Sequence, residues 1–112
     1  MIINVQNIEL KNGSVLGIEV DYPKTKLLSI SVSNIGYIMC GILDVKILDA
    51  LHLDRKIIAA KIPGASNLME LLSLQITEVT KTAVKIGIKV GMTGEEAINR
   101  MLDAKIPNEA SK

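Results

Sequence analysis

Cys40 is the one residue in this sequence able to act as a strong nucleophile, and it stands in the segment GYIMCGILD, residues 36–44. The thiolate is the reactive form of cysteine, and backbone N–H groups at a helix N-terminus favour it. The pattern puts Cys40 at the end of an extended stretch, just ahead of a helix opening near Asp44, with Gly41 leaving room for close approach. A thiol flanked by Met39 and Ile42 also fits a small apolar residue of a core, and the nearby Asp44 carboxylate opposes thiolate formation. Cys40 therefore carries two readings, a working thiol and a buried hydrophobe.

Arg55 is the second chemical group of interest, because a guanidinium binds a carboxylate or phosphate through two parallel hydrogen bonds. If the chain after Gly41 returns beside the Cys40 strand, Asp44 and Arg55 form either a small-ligand site with Cys40 or a purely structural pair. His52, the only histidine, is the one base available to activate Cys40. It lies about three helical turns further on, at ~3.6 residues per turn, so a helix would carry it away. One Cys, one His and scattered acids make no spaced ligand set, and neither a metal nor a cofactor is expected. GMTGEE, residues 91–96, resembles an anion-binding helix start, yet Glu95 and Glu96 already supply negative charge there. It reads as a helix cap, and no phosphate-loop or dinucleotide fingerprint occurs.

The elements that must position these groups fall into two halves. The first half alternates with a period of two, as half-buried strands do. Leu16, Ile18, Val20 and Tyr22 share one face of a strand, and Leu28, Ile30 and Val32 oppose Ser29, Ser31 and Ser33 in another. Before them, Ile3 and Val5 alternate in one phase and Ile8 and Leu10 in the other, which predicts a bulge near Asn7. Asn12-Gly13 predicts a hairpin turn, Pro23 breaks the second strand, and Ser33 to Gly36 turns into an interior strand ending at Cys40. The second half shifts toward helical spacing. Leu43, Ile47, Leu48 and Leu51 share a helical face, and residues 55–64 form one further buried strand. Asn67 with Glu70 and Thr93 with Glu96 are capping pairs. A helix is expected from Thr77 to a stop at Gly87. Residues 105–112 read as a flexible tail.

Strands first and helices second predict an α+β fold: an antiparallel β-rich N-terminal half packed with three to four short helices, in one domain over residues 1–104. The 112 residues are 48% hydrophobic with two Tyr, no Phe and no Trp, an aliphatic excess for so short a chain. That excess predicts apolar surface covered by a second subunit, so a homo-oligomer is expected. Thirteen basic residues against twelve acidic ones leave no basic face for nucleic acid, and the shortage of aromatics leaves little to stack on bases. No apolar run approaches the ~20 residues of a membrane span. MIINVQ is unlike a secretory leader, and a lone Cys suits a reducing compartment, so a cytoplasmic location is expected.

With these motifs placed, the chain resembles the YunC-like family, a bacterial and archaeal domain of unknown function. The resemblance rests on GYIMCGILDV at 36–45, Arg55 with Ala59-Ala60, and Asn67-Leu68-Met69-Glu70-Leu71-Leu72. It continues through Val79-Thr80 and GIKVGMTGEEAI at 87–98, covering about the last two-thirds of the chain. It implies a β-rich N-terminal region, here the first ~35 residues, used for assembly into a tetramer; it implies no activity, cofactor or catalytic residue. Two functional expectations follow. One is a homo-oligomer holding a small molecule near Cys40, Asp44 and Arg55. The other is a Cys40-dependent enzyme or sulfur-handling protein acting on a small anionic substrate.

Overall fold

The computed structural model describes residues 2–51 and 55–110, and the side chains among them except those of Leu51 and residues 105–110. The architecture is α+β. Six strands form one sheet in sequential order: β1 (Ile3–Leu10), β2 (Gly13–Tyr22), β3 (Thr25–Val32), β4 (Gly36–Met39), β5 (Ile58–Lys61) and β6 (Glu78–Val79). Neighbours pair antiparallel except β4 and β5, which run parallel. Parallel neighbours need a crossover rather than a tight turn, and α1 (Val45–Leu51) lies in that connection. The later helices are α2 (Leu68–Ser73), α3 (Lys81–Lys85) and α4 (Gly94–Ala110).

The sheet has two unlike faces. Val15, Leu28, Ile30, Ile38 and Ala60 point to one of them and join Leu68, Leu71, Ala97, Ile98 and Met101 from α2 and α4 in the main core. A smaller cluster on the opposite face seats Leu43, Val45 and Leu48 against Tyr37, Met39 and Ala59. Thus the described elements cover β4 and β5 on both sides, whereas they cover β1, β2 and β3 on one. Close approach in the covered part depends on two glycines. A Cβ on Gly36 would stand 2.3 Å from the Ile58 carbonyl oxygen, and one on Gly94 would stand 2.1 Å from that of Leu71.

Several local expectations are corrected. Strands β1 and β2 pair one for one from Ile3 opposite Val20 to Leu10 opposite Gly13, so there is no bulge at Asn7. The change of phase has another cause: Ile8 and Leu10 pack on the core, while Ile3 and Val5 point out of the other face. The hairpin turns at Lys11-Asn12, one residue early, with Gly13 already in the ladder and facing Leu102 of α4. The stretch expected to be helical from Thr77 begins as a strand. The Thr77 and Thr80 N–H groups donate to the Lys61 and Ala59 carbonyls at 2.9 and 3.0 Å. The β-branched run Ile76, Thr77, Val79 and Thr80 suits that extended pairing. Helix α3 starts after Thr80, whose hydroxyl accepts the Ala83 N–H at 3.3 Å. In α1 it is Val45, not Ile47, that turns inward, and Ile47 is exposed. Helix α4 runs through Ala110.

Both capping pairs form. Asn67 Oδ1 accepts the Glu70 N–H at 2.9 Å. Thr93 Oγ1 accepts the Glu96 N–H at 3.2 Å while Glu96 Oε1 accepts the Thr93 N–H at 2.9 Å, a reciprocal box. The Gly94 N–H donates to the Leu74 carbonyl at 3.1 Å, so GMTGEE is occupied by its own fold.

Candidate functional site

The parallel register of β4 and β5 decides which candidate residues can meet. Gly36 at the start of β4 lies opposite Ile58, and Met39 at its end lies opposite Lys61. Arg55 precedes Ile58 and Cys40 follows Met39, so these two residues occupy opposite ends of the strand pair. The structure does not gather Cys40, Asp44 and Arg55 into one cleft.

Cys40 belongs to the main core with 6% of its surface exposed. Its N–H donates to the Leu28 carbonyl at 3.0 Å, and its Sγ accepts the Leu28 N–H at 3.4 Å. The thiol is thus tied to the neighbouring strand β3 rather than placed at a helix N-terminus. Asp44 is exposed and caps α1, its Oδ1 accepting the Ile47 N–H at 3.1 Å. That bond satisfies one orphan donor of the first turn. Among the described residues Asp44 and Arg55 form no ion pair. His52 lies outside the described residues, as does any pairing of it with Cys40. The described residues hold no group of three or more His, Cys, Asp or Glu able to bind a metal ion, and no described helix is long and apolar enough to cross a membrane.

Arg55 instead lines a pocket of about 560 Å³ at the end of the sheet where β3 turns into β4 and β5 begins. Ser31, Ser33, Asn34, Tyr37 and Lys56 line it too, with Ile35, Ile57 and Ile58 supplying apolar wall. Sheet geometry explains the gathering. Ser31 lies opposite Tyr37, so their side chains project from the same face, the one that α1 covers only over β4 and β5. Asn34, at φ 66°, reverses the chain between β3 and β4, and Lys56, at φ 53°, turns it into β5. Asn tolerates that left-handed conformation, whereas for Lys it costs about 1–2 kcal/mol. Burial pushes the Tyr37 phenol up from its ordinary pKa of 10.0, and its hydroxyl can both donate and accept. The side chains facing the pocket are therefore rich in donors, and no described carboxylate lines it. The described ion pairs, Lys26 with Glu19 and Asp21 and Lys61 with Glu78, sit at the far end of the sheet. A second depression of about 390 Å³ shares Ser31 and Ser33 and extends to Asn7, Ser14 and Leu16.

Of the residues lining this pocket, sequence reasoning singled out Arg55 alone. The alternating serines of LLSISVS were legible as a polar strand face, but nothing local said that Tyr37, Lys56 and Arg55 would border it. Only the β4–β5 pairing brings them there.

The fold and the pocket define a class: a small α+β protein with a mixed six-stranded sheet and a polar, cationic pocket at one end of it. The chain belongs to the family described as Domain of unknown function (DUF1805), whose model matches residues 39–101. It is 35% identical over 100 residues to the uncharacterised protein YunC of Bacillus subtilis, covering 89% of this chain and 98% of that one. The fold is similar to the crystal structure of a protein of unknown function, TA1206, from Thermoplasma acidophilum, with a TM-score of 0.78 and 26% identity. That match covers 89% of this chain and 93% of the other. The YunC-like resemblance seen in the motifs is thereby borne out.

Proposed function

We propose that this chain works as a cytoplasmic homo-oligomer, a tetramer, that holds a small molecule in the pocket lined by Arg55. The observation behind the assembly is the uncovered face of β1–β3. Ile3 beside Val20 and Val5 beside Ile18 form adjacent apolar pairs there, and Ile3 and Val5 are 62% and 60% exposed. Leu16 and Tyr22 are exposed on the same face, at 38% and 42%. From the rise and spacing of strands this patch covers roughly 400 Å², the size of the largest apolar patch on a typical monomer, which is often functional. A second copy of the chain fits it best. The surface is apolar and nearly free of charge, so it complements itself across a two-fold axis. Light scattering at micromolar concentration should give the mass of four 12.1 kDa chains, and Val5→Lys should lower it. A monomeric wild-type protein would refute the assembly.

The alternative is a Cys40-dependent enzyme or sulfur-handling protein acting on a small anion. The burial of Cys40 and its bond to Leu28 weigh against it. Iodoacetamide should leave Cys40 unmodified in the native protein and react once it is denatured. Rapid native alkylation would restore the enzyme reading.

A further inference from the structure

We infer that the Arg55 pocket is a site for a phosphate monoester, with Arg55 and Lys56 together holding the phosphate and the apolar wall holding the organic group. The inference rests on the small-ligand part of the proposed function and names its ligand class.

Three observations carry it. First, two cationic side chains, Arg55 and Lys56, border the same pocket with no described carboxylate beside them. Two positive charges match the dianion of a phosphate monoester better than the single charge of a carboxylate. A guanidinium adds a flat fork of donors, an ammonium a mobile point charge, and phosphate oxygens accept from both. Second, Ser31, Ser33 and Tyr37 bring hydroxyl-bearing side chains to the β3–β4 side of the pocket. Phosphate offers more acceptor positions than a carboxylate and can use such a ring of donors. Third, Ile57, which packs beside Tyr37 on this face of the sheet, adds apolar surface that inorganic phosphate cannot use. The volume, about 560 Å³, suits a small organic molecule rather than a lone ion.

Backbone geometry agrees with this reading. Lys56 holds a left-handed conformation, φ 53°, at the mouth of β5. Conformations that side chains avoid persist where the surrounding structure imposes them, and they concentrate at ligand sites.

The test is calorimetric titration of the full-length protein with phenyl phosphate, benzoate and inorganic phosphate in turn. Phenyl phosphate should bind at least about tenfold more tightly than either of the others, a difference of ~1.4 kcal/mol. Arg55→Gln and Lys56→Gln should each weaken it about tenfold. Both side chains are exposed, so unchanged thermal unfolding will show that the variants remain folded. In the wild-type protein, phenyl phosphate should also shift the backbone amide resonances of Ser31, Ser33 and Tyr37. Benzoate binding as tightly as phenyl phosphate, with Arg55 still required, would overturn the phosphate class and leave the small-ligand reading standing. Inorganic phosphate binding as tightly as phenyl phosphate would overturn the need for an organic group. Absence of any binding that depends on Arg55 would overturn both readings of the pocket.

Discussion

Strands β4 and β1 pose the same problem to the fold and receive different answers. Both carry apolar residues on their two faces: Ile38 against Tyr37 and Met39 in β4, Ile8 and Leu10 against Ile3 and Val5 in β1. In β4 the second face is covered, because the crossover to β5 lays Leu43, Val45 and Leu48 over Tyr37, Met39 and Ala59. In β1 no described element of the chain covers the second face, and Ile3 and Val5 stand in the open. A parallel strand pair brings its own cover through the crossover it requires, whereas an antiparallel hairpin closes in two residues and brings none. The difference separates a region packed on both faces from one whose second apolar face is exposed.

The largest expected effect lies in the doubly covered part. Gly36→Ala would drive a methyl group into the Ile58 carbonyl. Ile38→Ala would remove a fully buried side chain between β4 and α4. The second should cost about 3–4 kcal/mol in urea unfolding, and the first at least as much, since backbone cannot move aside cheaply. Val5→Ala on the uncovered face should cost less than ~0.5 kcal/mol within a single chain. Equal losses at Ile38 and Val5 would break the comparison.

A smaller effect tests the polar group that ties β5 to α3. Thr80 is fully buried; its Oγ1 donates to the Ile57 carbonyl at 2.6 Å and accepts the Ala59 and Ala83 N–H groups at 3.2 and 3.3 Å. Thr80→Val keeps the shape and leaves those partners short of a hydrogen bond, at a cost of about 1–3 kcal/mol. Unfolding unaffected by this change would show that water replaces the hydroxyl and that the covered half is more open than its burial implies.

The smallest effect is a pH dependence at α2. The Ser66 hydroxyl and then its N–H, both donating to Glu70 Oε1 at 2.7 Å, hold the Glu70 carboxyl below its ordinary value of 4.5. Because the folded value is the lower one, the contribution is complete above 4.5 and is lost as pH falls through the folded value. Glu70→Gln should therefore lower stability slightly at neutral pH and flatten the acid limb of the unfolding curve. An acid limb identical to that of the wild type would mean that the exposed Ser66–Glu70 contact has no effect on stability.

Much of the architecture was legible because its signals are local. Alternation marked β2 and β3, the capping pairs Asn67/Glu70 and Thr93/Glu96 marked α2 and α4, and the two-sided apolar run marked β4 as interior. The errors came where a local pattern had two solutions. The phase change in β1 was compatible with a bulge or with two apolar faces. The helical spacing after Thr77 was compatible with a helix or with a short strand followed by one. In each case a partner strand decided, through register in the first and through hydrogen bonds to β5 in the second.

The same division applies to the segment GYIMCGILD. Its residue types alone determined an interior strand ending in a thiol, followed by a helix opening near Asp44, because alternation and helical spacing act over a few residues. Its neighbours were decided by tertiary structure. Antiparallel pairing with β3 sealed Cys40 against Leu28, and parallel pairing with β5 carried Arg55 and Lys56 to the opposite end, beside Tyr37 and the serines of β3. Strand order and direction are properties of the whole sheet, and no short stretch of sequence encodes them.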